Sequence, residues 1–133
     1  MFQNNLDPTE FEKEWKQLCV QICKAVFVSP KTEQIKEALK KRGTLSSEEI
    51  SEFIEVCNRI KYEFIYEKYG NRDSEGYKNF SKNWQQWFEY KGVSSQKDRA
   101  QRNSVDHILF GSTPDPVEFL DSFEEEVLNN HKE

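Results

Sequence analysis

The side chains in this 133-residue chain that could serve as metal ligands or catalytic bases are few. His107 and His131 have no HExxH or ExxH partner, so the ligands of a zinc protease or of a di-iron bundle site are missing. The sequence also contains no GxSxG, P-loop or GxGxxG motif. We therefore predict that the protein is not an enzyme and holds no metal or cofactor. His107 is expected to be structural or capping, and His131 solvated.

Carboxylates are plentiful between residues 46 and 70, at helical spacing. Glu48, Glu52 and Glu55 are spaced by four and three residues and therefore share one helix face. Glu63 and Glu67 are four residues apart and also share a face. A general acid–base pair needs one carboxyl group whose pKa is raised by desolvation. This spacing instead predicts an exposed face opposite the apolar stripe of the helix.

Three cysteines, Cys19, Cys23 and Cys57, lie in or beside apolar stripes. None belongs to a CxxC pair, and a disulfide between Cys19 and Cys23 would have to span one helical turn, which is poor geometry. We predict three buried, unreactive thiols in a reducing compartment.

Charge is distributed unevenly along the chain. Residues 115–133 carry seven carboxylates against one lysine, a net charge of −6, whereas residues 31–42 and 91–102 each carry about +3. This asymmetry serves either solubility alone or the recognition of a basic partner, because opposite charges raise the association rate. On the second interpretation the partner-binding carboxylates are Glu118, Asp121, Glu124, Glu125 and Glu126.

Trp84 and Trp87 are three residues apart on the edge of an aromatic stripe. Core packing is the ordinary role of such residues, but exposed tryptophans are also typical of interface hot spots. We therefore include both in the predicted partner-binding set, on the condition that they are exposed.

Residues 46–70 are the segment around which the sequence predicts the fold to be organised. Positions at intervals of three and four form its apolar stripe, namely Ile50, Phe53, Ile54, Cys57, Ile60, Lys61 and Phe64. A capping box pairs Ser46 with Glu49, and Leu45 can pack on Ile50. Gly70 is expected to end the helix in the left-handed conformation. We predict that this helix lies at the centre of a bundle.

Further helices are predicted on both sides of it. One starts at Asp7-Pro8 and runs to about Phe27; a second starts at Ser29-Pro30 and ends at Gly43. A fourth runs from about Ser74 to Lys91, and the last follows Asp115-Pro116. Residues 96–104 contain only Ala100 as an apolar residue, so this segment is predicted to be either a solvated helix or a mobile loop. The predicted fold is an all-α, single-domain bundle of five to six helices over residues 1–133.

Composition limits the core and the partners. The chain has 10 Phe, 5 Tyr and 3 Trp, which predicts an aromatic-rich core, and its net charge of −5 argues against direct nucleic-acid binding. The sequence contains no run of 18 apolar residues, so no membrane-spanning helix is predicted. The N-terminal MFQNNLDPTEF lacks the features of a signal peptide. We expect a cytoplasmic protein that does not associate with membranes.

A helical domain without catalytic motifs most plausibly binds another protein. Our leading hypothesis is a small acidic immunity or antitoxin-type inhibitor that neutralises a basic toxin, such as a nuclease, by stoichiometric binding. The alternative is a helical adaptor or structural subunit of a larger intracellular complex. An enzyme with a site built from Glu, Tyr and Trp side chains is the least favoured hypothesis.

Overall fold

The computed structural model describes residues 7–91, 104–109, 111 and 113–122. Of these described residues 84% are helical and none is in a strand, so the fold is an all-α helical bundle, as the sequence predicts. The described part contains six helices: α1 Pro8–Phe27, α2 Pro30–Arg42, α3 Ser47–Tyr69, α4 Glu75–Lys91, α5 Ser104–Leu109 and α6 Pro116–Ser122. Residues 96–103, left open above, lie outside the described ranges. The single-domain organisation of residues 1–133 stays a prediction.

The helices begin where the capping residues predict. The Asp7 carboxylate accepts a hydrogen bond from the Thr9 amide at 3.0 Å, and Asp115 accepts one from Val117 at 2.8 Å. Before α3 the capping box is complete, because Ser46 Oγ accepts from the Glu49 amide and Glu49 Oε1 accepts from the Ser46 amide. Each cap satisfies amide groups that have no partner inside the helix.

Two glycines end helices in different ways. Gly43 closes α2 in the predicted left-handed conformation, with φ 78° and ψ −4°. Gly70 closes α3 with φ 107° and ψ 168°, outside the left-handed helical region, so that part of the prediction was wrong. The chain extends there before Ser74, whose Oγ accepts from the Tyr77 amide at 3.1 Å and begins α4.

α1, not α3, is the central helix. It packs against α2, α3, α4 and α5, and it buries seven residues, whereas α3 packs mainly against α1, α2 and α4 and buries four. Within the apolar stripe predicted for α3, Ile54 is exposed and Phe64 is only half-buried. The prediction that residues 46–70 form the centre was wrong because helical period identifies an apolar face but not how many neighbours it meets.

Aromatic rings fill the core, as the composition predicts. Phe11 and Trp15 of α1 meet α4, with ring centroids 6.1 Å apart for Phe11 and Trp87 and 5.3 Å apart for Trp15 and Phe80. Trp15 also holds α5, because its Nε1–H donates a buried hydrogen bond to the Leu109 carbonyl oxygen at 2.9 Å. Edge-to-face and offset contacts of this kind add stability beyond the buried area.

Candidate functional site

The predicted acidic surface begins on α6, a short helix that one side chain anchors. Phe119 is fully buried, and its ring lies 6.5 Å from that of Phe27 and 5.5 Å from that of Phe53. α6 therefore packs where α1 ends and the first half of α3 begins. Glu118 and Asp121 are exposed on this helix, while Glu124, Glu125 and Glu126 lie outside the described residues.

The first half of α3 brings more carboxylates to the same end of the bundle. Residues 47–58 contain four glutamates and no lysine or arginine. Glu49 is paired with Arg42 and Glu52 with Lys31, at 2.7 Å and 2.8 Å, while Glu48 and Glu55 are exposed. The pKa of Glu49 is held below its usual value, first by the Ser46 amide and then by Arg42. We call Glu48, Glu55, Glu118 and Asp121 the acidic end.

Exposed apolar side chains occur at this end as well. Among the described residues four large hydrophobic side chains are exposed. Two of them directly follow Phe27 and Phe53 in the sequence, and a third lies on α6 with Phe119. Val28 follows Phe27 and is 69% exposed, Ile54 follows Phe53 and is 38% exposed, and Val117 of α6 is 44% exposed. Apolar side chains with charged residues around them are typical of protein interfaces.

His107 lies beside the acidic end. Its Nε2 is 3.7 Å from Glu118 Oε1, which is too long for a hydrogen bond, and this nitrogen is buried without a hydrogen-bond partner among the described residues. No group of three or more His, Cys, Asp or Glu in the described part of the chain could hold a metal ion.

The two predicted interface tryptophans differ in burial. Trp87 is 0% exposed in the core between α1 and α4, and its Nε1–H donates to Glu12 Oε1 at 3.3 Å. It cannot contact a partner without the bundle opening, so of the pair only Trp84 stays a candidate. Trp84 is half-buried and stacks on Phe88, with centroids 4.8 Å apart.

Trp84 forms one wall of a cavity of about 230 Å³ between α1, α3 and α4, which we call the aromatic cavity. α4 contributes side chains at intervals of three and four, which places them on one helix face, and α3 contributes a second wall. The lining side chains are Trp15, Lys61, Tyr62, Ile65, Tyr77, Phe80, Ser81 and Trp84. Gly111 completes it with φ +88°, where a Cβ would lie 3.6 Å from Trp84 Cζ2.

Among the described residues of this lining, Lys61 is the one cation. Burial lowers the pKa of its ammonium group, an effect partly opposed by Cys19 and Cys57. It forms no hydrogen bond or ion pair with any residue that the structure describes. Sequence reasoning assigned Lys61 to the apolar stripe of α3, and that position was the signal that it is partly desolvated.

The acidic end and the aromatic cavity are separate. On α3 the acidic end reaches Glu55, whereas the cavity lining starts at Lys61, six residues later, which corresponds to about 9 Å along the helix axis. The structure therefore divides the predicted partner-binding residues between two regions, with Glu118 and Asp121 in one and Trp84 in the other.

The three cysteines are buried, as predicted, and the described residues form no disulfide with them. Burial raises the pKa of the Cys57 thiol to about 12. It raises the pKa of the Cys23 thiol still further, and the neighbouring Cys57 adds to that increase. A thiol with so little thiolate near neutral pH is a poor nucleophile.

The fold and these surfaces define a small all-α helical bundle with an acidic end and an aromatic cavity. In the part of the chain that the structure describes, no helix has both the length and the apolar character that crossing a membrane requires. Comparisons with protein-family models, curated proteins and solved structures found no match to this chain.

Proposed function

We propose that this chain is a non-enzymatic protein-binding module, namely a small acidic immunity or antitoxin-type inhibitor that neutralises a basic toxin by stoichiometric binding. The observation that carries the proposal is the acidic end. Exposed carboxylates of α3 and α6 lie there together with the exposed Val28, Ile54 and Val117.

The two kinds of side chain have different roles in this proposal. The carboxylates attract a basic partner from a distance and raise the association rate, an effect that salt screens. The apolar side chains are buried on contact and slow dissociation. Because exposed charges contribute little to folding, the surface can carry them at small cost in stability.

The acidic sequence continues beyond α6 with Glu124, Glu125 and Glu126, and we include these residues in the interface. We also propose a cytoplasmic location. The three buried cysteines support a reducing compartment for this chain, since no disulfide joins them within the described part.

The experiment starts with the tagged chain as bait in its native host, followed by identification of the co-purified protein and measurement of binding kinetics. Replacing Glu118 and Asp121 by lysine should slow association roughly tenfold at low ionic strength, and the difference should shrink as salt rises. The matched control replaces Glu63 and Glu89, which are exposed and carry the same charge, at positions away from α6. The control should keep the wild-type rate.

A second pair of variants tests the apolar part of the interface. Val28→Ser and Val117→Ser should speed dissociation and leave the association rate unchanged. Two results would overturn the proposal. The first is equal slowing of association by both charge-reversed variants, since net charge would then be the only cause. The second is association of the variant with lysine at positions 118 and 121 at an unchanged, salt-insensitive rate.

A further inference from the structure

We propose that the aromatic cavity binds a small aromatic carboxylate, whose ring lies against Tyr62, Tyr77 and Trp84 and whose carboxylate pairs with the ammonium of Lys61. This ligand site shares no residue with the acidic end, on which the protein-binding proposal above rests.

The position of Lys61 determines the charge of the ligand. A partly desolvated ammonium group without a counter-ion is unfavourable, and an entering anion removes that cost by forming a charge-assisted hydrogen bond. Within the described residues no carboxylate pairs with Lys61. The same charge disfavours a cationic ligand, although aromatic walls alone would suit one.

A second cation lies beside the cavity. The Arg72 guanidinium is 5.7 Å from the centroid of the Tyr62 ring, and its Nε–H donates to the Tyr66 hydroxyl at 3.1 Å. Tyr66 in turn packs against Tyr77, with ring centroids 5.8 Å apart. This arrangement fixes the tyrosines at the edge of the cavity and adds positive charge where an anion would approach.

The walls determine the shape of the ligand. Tyr62, Tyr77 and Trp84 are half-buried, so each keeps part of its ring available to a ligand. Trp84 is held in place by stacking on Phe88 at an interplanar angle of 12°. Flat, immobilised rings bind another planar ring by offset stacking or edge-to-face contact at little entropic cost.

The volume sets the size of the ligand. A cavity of about 230 Å³ is smaller than the roughly 300–1,000 Å³ typical of drug-sized ligands. It has room for one ring system with a short acid side chain. Ser81 and Gly111 are exposed members of the lining and mark the opening to solvent.

The test compares three probes of similar shape and different charge: indole-3-acetate, neutral 3-methylindole and cationic tryptamine. Binding is followed by the ¹H–¹⁵N resonance of the Trp84 indole in the labelled full-length protein. Indole-3-acetate should bind about 10-fold or more tightly than 3-methylindole, since a hydrogen bond to a charged group is worth that much, and tryptamine should bind most weakly.

Two variants with matched controls separate charge from shape. Lys61→Met keeps the apolar stem and removes the charge, so it should lower the affinity for indole-3-acetate to that of 3-methylindole. Lys82→Met, an exposed lysine outside the lining, should change neither affinity. Ser81→Phe should block all probes by filling the opening, whereas Ser51→Phe, exposed on α3, should not.

Several results would overturn the inference. Equal affinity for the acid and for 3-methylindole would show an apolar cavity that accepts any ring, including a side chain of a partner protein. An unchanged affinity of Lys61→Met for indole-3-acetate would show that the ammonium group does not take part in binding. If no probe binds at millimolar concentration, or if binding leaves the Trp84 resonance unchanged, the aromatic cavity is not the ligand site.

Discussion

Lys61 shows how one residue can lower stability while it supports a site. Its side chain lies among rings and near two thiols, and burial lowers the pKa of its ammonium group. The folded protein thus carries part of the cost of desolvating a charge. Residues of this kind occur at binding sites more often than in ordinary cores, because a ligand can compensate for the cost.

The stability of the protein should depend on pH through Lys61. With the folded pKa below the unfolded value, the unfolded state holds more protons in the interval between the two, so the free energy of unfolding rises with pH there. Lys61→Met should be more stable than wild type at pH 7, and the difference should shrink as pH approaches about 10.4, the unfolded lysine value. Urea melts at several pH values measure this, with Lys82→Met as the control. A difference that stays constant with pH would contradict the desolvation of Lys61.

At the scale of secondary structure, the junction of α3 and α4 contains a close backbone contact. Ser74 Oγ caps α4, and its hydroxyl also donates to the Asn71 carbonyl oxygen at 2.8 Å. Gly76, the second residue of α4, lies directly against the backbone of Tyr69, the last residue of α3. A Cβ at this position would collide with the Tyr69 carbonyl oxygen.

Gly76→Ala should destabilise the protein although alanine is the better helix former. Helix propensity favours alanine by about 1 kcal/mol, whereas overpacking against a backbone atom costs roughly 1–3 kcal/mol. The net loss should appear in chemical denaturation as a lower midpoint. Gly43→Ala is the comparison: no atom lies within 4 Å of its Cβ, so only its φ of +78° opposes the substitution. A neutral or stabilising Gly76→Ala would mean that α3 and α4 are not so close.

At the scale of the whole molecule, α1 connects the two ends of the bundle. Its first half carries Phe11 and Trp15 into the contact with α4, and its last turn places Phe27 beside Phe119 of α6. Loss of packing on α1 should therefore affect both the aromatic cavity and the acidic end. Loss of the half-buried Phe64 ring of α3, which lies outside the cavity lining, should affect neither strongly.

Truncation of core rings should rank by burial and not by position in the apolar stripe. Phe11→Ala and Phe53→Ala remove fully buried rings and should each cost roughly 3–5 kcal/mol through a cavity. Phe64→Ala removes a half-buried ring and should cost clearly less. Equilibrium urea unfolding, with circular dichroism as the signal, measures all three. Equal losses of unfolding free energy for Phe53→Ala and Phe64→Ala would contradict the difference in burial between the two rings.

The sequence by itself determined where the helices begin and that the fold is all-α. The reason is that these features are local. The hydrogen bonds of Asp7, Ser46 and Asp115 join residues two or three positions apart, so residue type and spacing suffice to predict them. Helical period likewise follows from positions three and four apart, as the buried residues of α1 confirm.

The tertiary structure alone decided which helix is central, which tryptophan is exposed and what surrounds Lys61. Trp84 and Trp87 are equivalent in spacing, yet Trp87 meets Phe11 of α1 whereas Trp84 faces a cavity that Gly111 helps to close. The Trp15–Leu109 hydrogen bond joins residues 94 positions apart. Such contacts depend on the packing of several helices at once, and no local pattern in the chain encodes that packing.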